Sequence, residues 1–132
     1  CDLLIEDGVA MVVDGSSSGL LSALDRLERL APRAVLPGHG RIPANPEDLV
    51  RLTRCETLAL RARMRDDVRQ GVSVSRALAS LPPADRDRPV SRNSRVRRNA
   101  VRIYAEMEQE MVHSTDAASA SSDSVAMLSC RR

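Results

Sequence analysis

Leu20, Leu24, Leu27 and Ala31 recur at helical spacing with Asp25, Arg26, Glu28 and Arg29 on the other side, which predicts an amphipathic first helix. Ser16, Ser17 and Ser18 offer capping oxygens at its start, and Pro32 stops it. A second helix begins at Asn45, which can cap it, with Pro46 at the first position and Glu47 and Asp48 in the first turn. Its apolar stripe is Leu49, Leu52, Cys55, Ala59 and Ala62, joined later by Leu60, Met64 and Val68, and it runs to Gly71. A short helix is predicted near Ser75 to Ser80. Pro82, Pro83 and Pro89 then bracket an Asp/Arg loop before a last helix, about Ser91 to Val112, with Val96, Ala100, Ile103, Met107 and Met111 in register.

Between these helical stretches lie short apolar runs of another kind. Leu3-Leu4-Ile5 and Val9 to Val13, separated by Glu6-Asp7-Gly8, are expected to be buried strands, or one strand and a loop. Ala34-Val35-Leu36 reads as a brief buried strand running straight into Pro37-Gly38-His39-Gly40, where a proline and two glycines forbid regular structure. The expected fold class is therefore α/β. Residues 1–112 make up the folded part, and residues 113–132 are expected to form a disordered tail. From Ser114 onward six Ser, four Ala and two Asp dominate, too little apolar surface to offset chain entropy.

With 132 residues the chain has material for one domain. Its apolar content is Leu, Val and Ala, with Tyr104 the sole aromatic, so the core is expected to be thin and aliphatic. No apolar run approaches the roughly 20 residues that cross a bilayer, so no membrane partner is expected. A net charge of +2 from 20 basic and 18 acidic residues argues neither for nor against a polyanionic partner. Every basic residue is Arg, which reads as coding bias before it reads as twenty separate needs for guanidinium. Cys1, Cys55 and Cys130 are an odd number without metal-type spacing. Cys55 is expected to be a small buried apolar residue in a reducing, cytoplasmic compartment. The chain opens on Cys1 without an export signal, and a fragment of a longer protein is the expectation.

Only two imidazoles are available for chemistry. His113, at the end of the last helix, reads as a solvated histidine near a helix C-terminus. His39 sits on a tight loop at a predicted strand end, flanked by glycines, and is either a ligand or a surface loop residue. Asp2, taken alone, is a solvated carboxylate near a chain end. The serines at 16 to 18 lack a nucleophile elbow, and no phosphate-binding glycine pattern exists.

The stretch Leu20 to Gly40, a helix, then Ala-Pro-Arg, then Ala-Val-Leu-Pro-Gly-His-Gly, resembles the C-terminal half of metallo-β-lactamase superfamily hydrolases. Asp2 followed by Leu-Leu-Ile is similar to the family's Gly-Asp element, and Met11 to Ser16 to a subset that includes quinoprotein relay zinc hydrolases. Arg98-Asn99 and Tyr104 to Glu108 are more weakly similar to the closing helix. The resemblance spans roughly residues 2 to 110. It implies the C-terminal half of an αβ/βα sandwich with a helical extension, and a zinc site, binuclear in a complete member, to which Asp2 and His39 contribute as metal ligands. The function implied is that of part of a zinc-dependent hydrolase with a small-molecule substrate. Cys1 stands where the family has glycine, and the His-x-His-x-Asp-His signature is absent, so the chain carries half of the site. Two ligands do not enclose zinc, so activity is expected only beside a missing N-terminal half.

A reading of another class starts from the last helix. Arg92, Arg95, Arg97, Arg98 and Arg102 crowd its beginning and Glu106, Glu108 and Glu110 its end, opposite to the order the helix dipole favours. A small Arg-rich helical interaction module, able to bind nucleic acid, would use them on phosphates. Against it, the proline-rich connection is far longer than a helix-turn-helix turn and no aromatics interleave. The plainer account pairs these arginines with Asp85, Asp87 or the acids before residue 15, so nucleic acid is not the expected partner.

Overall fold

A computed structural model describes residues 3–84 and 91–113. Among the described residues the architecture is four helices and no strand: α1 (Ser17–Leu30), α2 (Pro46–Arg69), α3 (Val74–Ala79) and α4 (Arg92–His113). The capping signals act as expected. Ser16 accepts from the Gly19 amide at 3.0 Å and Asn45 from the Glu47 amide at 3.1 Å, each satisfying an amide that the helix itself leaves unpaired. α1 ends at Ala31, a non-glycine residue at φ 42°, whose N–H donates to the Glu28 carbonyl before Pro32 prevents continuation.

α2 packs most extensively against α4, while α1 lies on α2 and α3 on α4. Leu24, Met64, Ile103 and Met107 are fully enclosed at the centre, and Leu20, Val50 and Ala100 complete the aliphatic middle. Of the expected stripes, Leu20 and Leu24 of α1 and Ala100, Ile103 and Met107 of α4 are buried and Leu27 and Val96 half-buried, while Ala31, just past the end of α1, and Met111 are exposed. The face of α2 differs. Val50, Thr53, Thr57, Arg61 and Met64 point inward, while Leu52 and Ala59 face solvent. Polar residues are tolerated there because their groups find partners: Thr53 and Thr57 hydroxyls donate to the carbonyls of Leu49 and Thr53, each at 2.8 Å.

The expected α/β sandwich is not formed, and with it the metallo-β-lactamase half-domain is overturned. Residues 3–5, 9–13 and 34–36 are apolar enough to be strands, yet they do not pair into a sheet. Among the described residues a single parallel bridge joins Ile5 to His39, with Gly38 N–H donating to the Leu4 carbonyl at 3.0 Å and Glu6 N–H to the His39 carbonyl at 3.2 Å. Leu4, Ile5, Val9, Ala10 and Val12 are buried all the same. They belong to an irregular segment packed against the helices and turned at Gly8, whose φ of 76° and whose packing against Leu52 both require glycine. Buried backbone needs hydrogen-bond partners. Around Leu4 and Glu6 these come from residues 38 and 39, and from Val9 to Val12, where no strand lies alongside, side chains of α4 supply them. The expected tail and the Asp85/Asp87 loop lie outside the described residues.

Candidate functional site

Arg95, Asn99, Arg102 and Glu106 follow one another at intervals of four, three and four residues, so they form one row along α4. The row reads the N-terminal segment in order. Arg95 pairs with Asp7 through one nitrogen and donates from Nε to the Val9 carbonyl at 3.1 Å. Asn99 donates to the Ala10 carbonyl at 2.6 Å and accepts from the Val12 amide at 3.1 Å, the two bonds an adjacent strand would supply. Arg102 donates to the Gly15 carbonyl at 2.8 Å. Glu106 ends the row by accepting from the Ser17 amide at 3.1 Å, at the first residue of α1.

Glu106 is also the centre of a buried ionic cluster. Its carboxylate accepts from the Ser17 hydroxyl, which in turn accepts from Arg61 Nη1 at 2.5 Å. Arg61 reaches Glu110 through Nη2 at 2.8 Å and Glu106 at 3.5 Å, and Arg65 approaches Glu110 at 3.5 Å. Ser17 is wholly buried, Arg61 5% exposed and Glu106 8% exposed. α1 has no acid in its own first turn, so Glu106 supplies from α4 the negative charge that a helix N-terminus favours.

A serine between a carboxylate and a guanidinium suggests nucleophilic chemistry, but the surroundings oppose it. Its hydroxyl proton is held by the Glu106 carboxylate, and no surface of Ser17 is open to a substrate. The cluster holds three helices and the N-terminal segment together.

The sequence candidates lie elsewhere. Asp2 is outside the described residues. His39 is exposed on the connection between α1 and α2, and its carbonyl makes the bridge described above. Next to it Gly40 takes φ 93°, and a Cβ there would fall 2.3 Å from that of Glu6, so the glycine of Pro-Gly-His-Gly has a local structural reason. Arg41 closes the clip. Its side-chain hydrogen bond to Glu6 at 2.8 Å, followed by its backbone N–H, holds the Glu6 carboxyl below its ordinary range, and the same pairing raises the Arg41 guanidinium. Among the described residues no three His, Cys, Asp or Glu side chains gather as a metal ion requires. No family model, curated protein or solved structure matches the chain.

His113 is exposed at the end of α4, its Nδ1 2.7 Å from the Gln109 carbonyl. Cys55 is half-buried and disulfide-bonded, in place of the small buried apolar residue expected. No helix among the described residues is long and apolar enough to cross a membrane.

Sequence reasoning missed Ser17, Arg61, Asn99 and Glu106 as a set. A signal was present in the inverted charge order of α4. Its arginines serve carbonyls and Asp7 of the N-terminal segment, and Glu106 serves the start of α1; these contacts outweigh the few tenths of a kcal/mol that the dipole preference is worth at an exposed position. Arg97 likewise donates to the Leu78 carbonyl at 2.7 Å, at the end of α3, and Arg92 pairs with Glu56 at 2.7 Å.

Proposed function

We propose that this chain is a non-catalytic helical interaction module that binds a protein partner through the connection between α1 and α2. The observation that carries this reading is the exposure of three large aliphatic residues on one short stretch: Leu30 at 76%, Leu36 at 79% and Ile42 at 64%. Scattered exposed aliphatics are ordinary, but three within thirteen residues, running from the last residue of α1 into a connection that lacks helix and strand, form a concentrated apolar display. Arg33 and His39 are exposed beside them, and Ala31 to Ala44 carries no acid, so the complementary partner surface is apolar with acidic groups at its rim. The nucleic-acid reading is the weaker one, because Arg95, Arg97 and Arg102 are engaged with Asp7 and with backbone carbonyls of the protein itself.

A photo-crosslinking side chain at Leu36, compared with the same group at the exposed Ser22 of α1, tests the proposal. A discrete protein adduct at position 36 alone, lost when Leu30→Glu and Ile42→Glu are added, supports it. Equal adducts at both positions, or retention of duplex DNA with a steep salt dependence, would contradict it.

A further inference from the structure

A second site stands independently of that surface and shares no lining residue with it. Between the N-terminal segment, α2 and α4 lies a cavity of about 210 Å³. Val9, Val12, Leu60, Val96 and Ile103 form its aliphatic wall. The polar groups on the same wall are already engaged: Asn99 spends both amide atoms on Ala10 and Val12, and the Thr57 hydroxyl donates within α2. The interior therefore offers an occupant mainly dispersion contacts and removal from water. The charged lining is peripheral. Arg63 and Arg92 are exposed there and Glu56 is half-buried, giving one net positive charge. Arg92 contacts Glu56 through one nitrogen and Arg63 contacts Ser80 through one nitrogen, which leaves further guanidinium N–H groups on each side chain.

We infer that this cavity binds a short aliphatic monocarboxylate, its tail against Val9, Val96 and Ile103 and its carboxylate at Arg63 and Arg92. Size limits the tail. An apolar cavity of about 150 Å³ holds a benzene ring, so this one takes a chain of roughly six carbons. Charge selects the head. Two guanidiniums against one carboxylate favour an anion.

Sodium hexanoate titrated into the full chain, followed by methyl and amide NMR shifts, tests the inference. Saturable shifts at Val96 and Ile103 are expected, weakening about fourfold for each methylene removed on going to butanoate. Dodecanoate should gain nothing over octanoate, since the extra chain finds no cavity. Hexan-1-ol should bind at least about tenfold more weakly, and Arg92→Gln should remove that preference for the acid while leaving hexanol binding in place. Val96→Phe, which fills the cavity, should abolish binding of both; if its melting curve shows loss of folding, Ala59→Leu at the exposed rim serves instead. Equal affinity for hexanoate and hexanol, an unchanged acid preference in Arg92→Gln, or shifts confined to surface residues would overturn the assignment.

Discussion

Replacing Glu106 by alanine removes more from this protein than a side chain of its size ordinarily would. The carboxylate accepts from the Ser17 amide and hydroxyl and faces Arg61, whose side chain is 6% exposed. Its loss leaves a buried amide and hydroxyl short of an acceptor, at about 1–3 kcal/mol for each unsatisfied group. Arg61 keeps Glu110 at 2.8 Å, so the charge is not orphaned and the cost of breaking a buried pair, about 3–5 kcal/mol, is an upper bound for that part. Solvent entering the space relaxes some of the penalty. A net destabilisation of about 3 kcal/mol results, a large share of the 5–15 kcal/mol typical of a domain and equivalent to a fall in Tm on the order of 10–20 °C. Urea unfolding measured for Glu106→Ala, Arg61→Met and the double variant checks the number. The double variant should lose less than the sum by at least about 1 kcal/mol, because the two residues share one network. A cost below about 1 kcal/mol for Glu106→Ala, with additive losses, would refute the cluster as the joint between α1, α2 and α4.

Ala31→Gly should raise stability by about 1 kcal/mol in the same assay, because a left-handed φ of 42° is unstrained in glycine. Asn99→Leu should cost about 2–5 kcal/mol, since the Val12 amide and Ala10 carbonyl both lose their partner. Tyr104 is buried and donates to the Val72 carbonyl at 2.7 Å; burial first, then Glu108 and Asp67, raise its phenol above the ordinary value of 10.0. The unfolded chain then ionises first, so the contribution is fully present below pH about 10 and is lost as pH rises through the folded value. Absorbance of the single tyrosinate should follow that rise directly, and Tyr104→Phe should abolish this component of the alkaline loss.

Helix positions were legible where one apolar stripe and its cap agreed, as in α1, with Ser16, Leu20 and Leu24 in their expected roles. On α2 the stripe was misplaced because Thr53, Thr57 and Arg61 take inward positions that a hydrophobicity pattern assigns to solvent. Their burial depends on partners that are distant in sequence or reach back along the helix, and periodicity registers neither. The strand expectation failed for a related reason. Leu3 to Val13 has the apolarity of a strand, but what forms a strand is a neighbouring backbone, and here Arg95, Asn99 and Arg102 stand where that neighbour would be. The Pro-Gly-His-Gly turn was rightly placed on a loop. Its glycine at 40 is explained by the approach of Glu6, a local constraint that the pattern shares with a metal-site loop and that does not by itself supply ligands.

The central claim is that side chains of α4, in place of a neighbouring strand, satisfy the backbone groups of Val9, Ala10, Val12, Gly15 and Ser17. Nuclear Overhauser contacts measured on the isotope-labelled chain test it most directly. The account predicts cross-peaks from the Val12 amide to the Asn99 side chain and from the Ser17 amide to the side-chain protons of Glu106, with the Val12 amide losing its exchange protection in Asn99→Ala. Cross-strand Hα–Hα contacts linking residues 3–5, 9–13 and 34–36, with protection unchanged by that substitution, would contradict it.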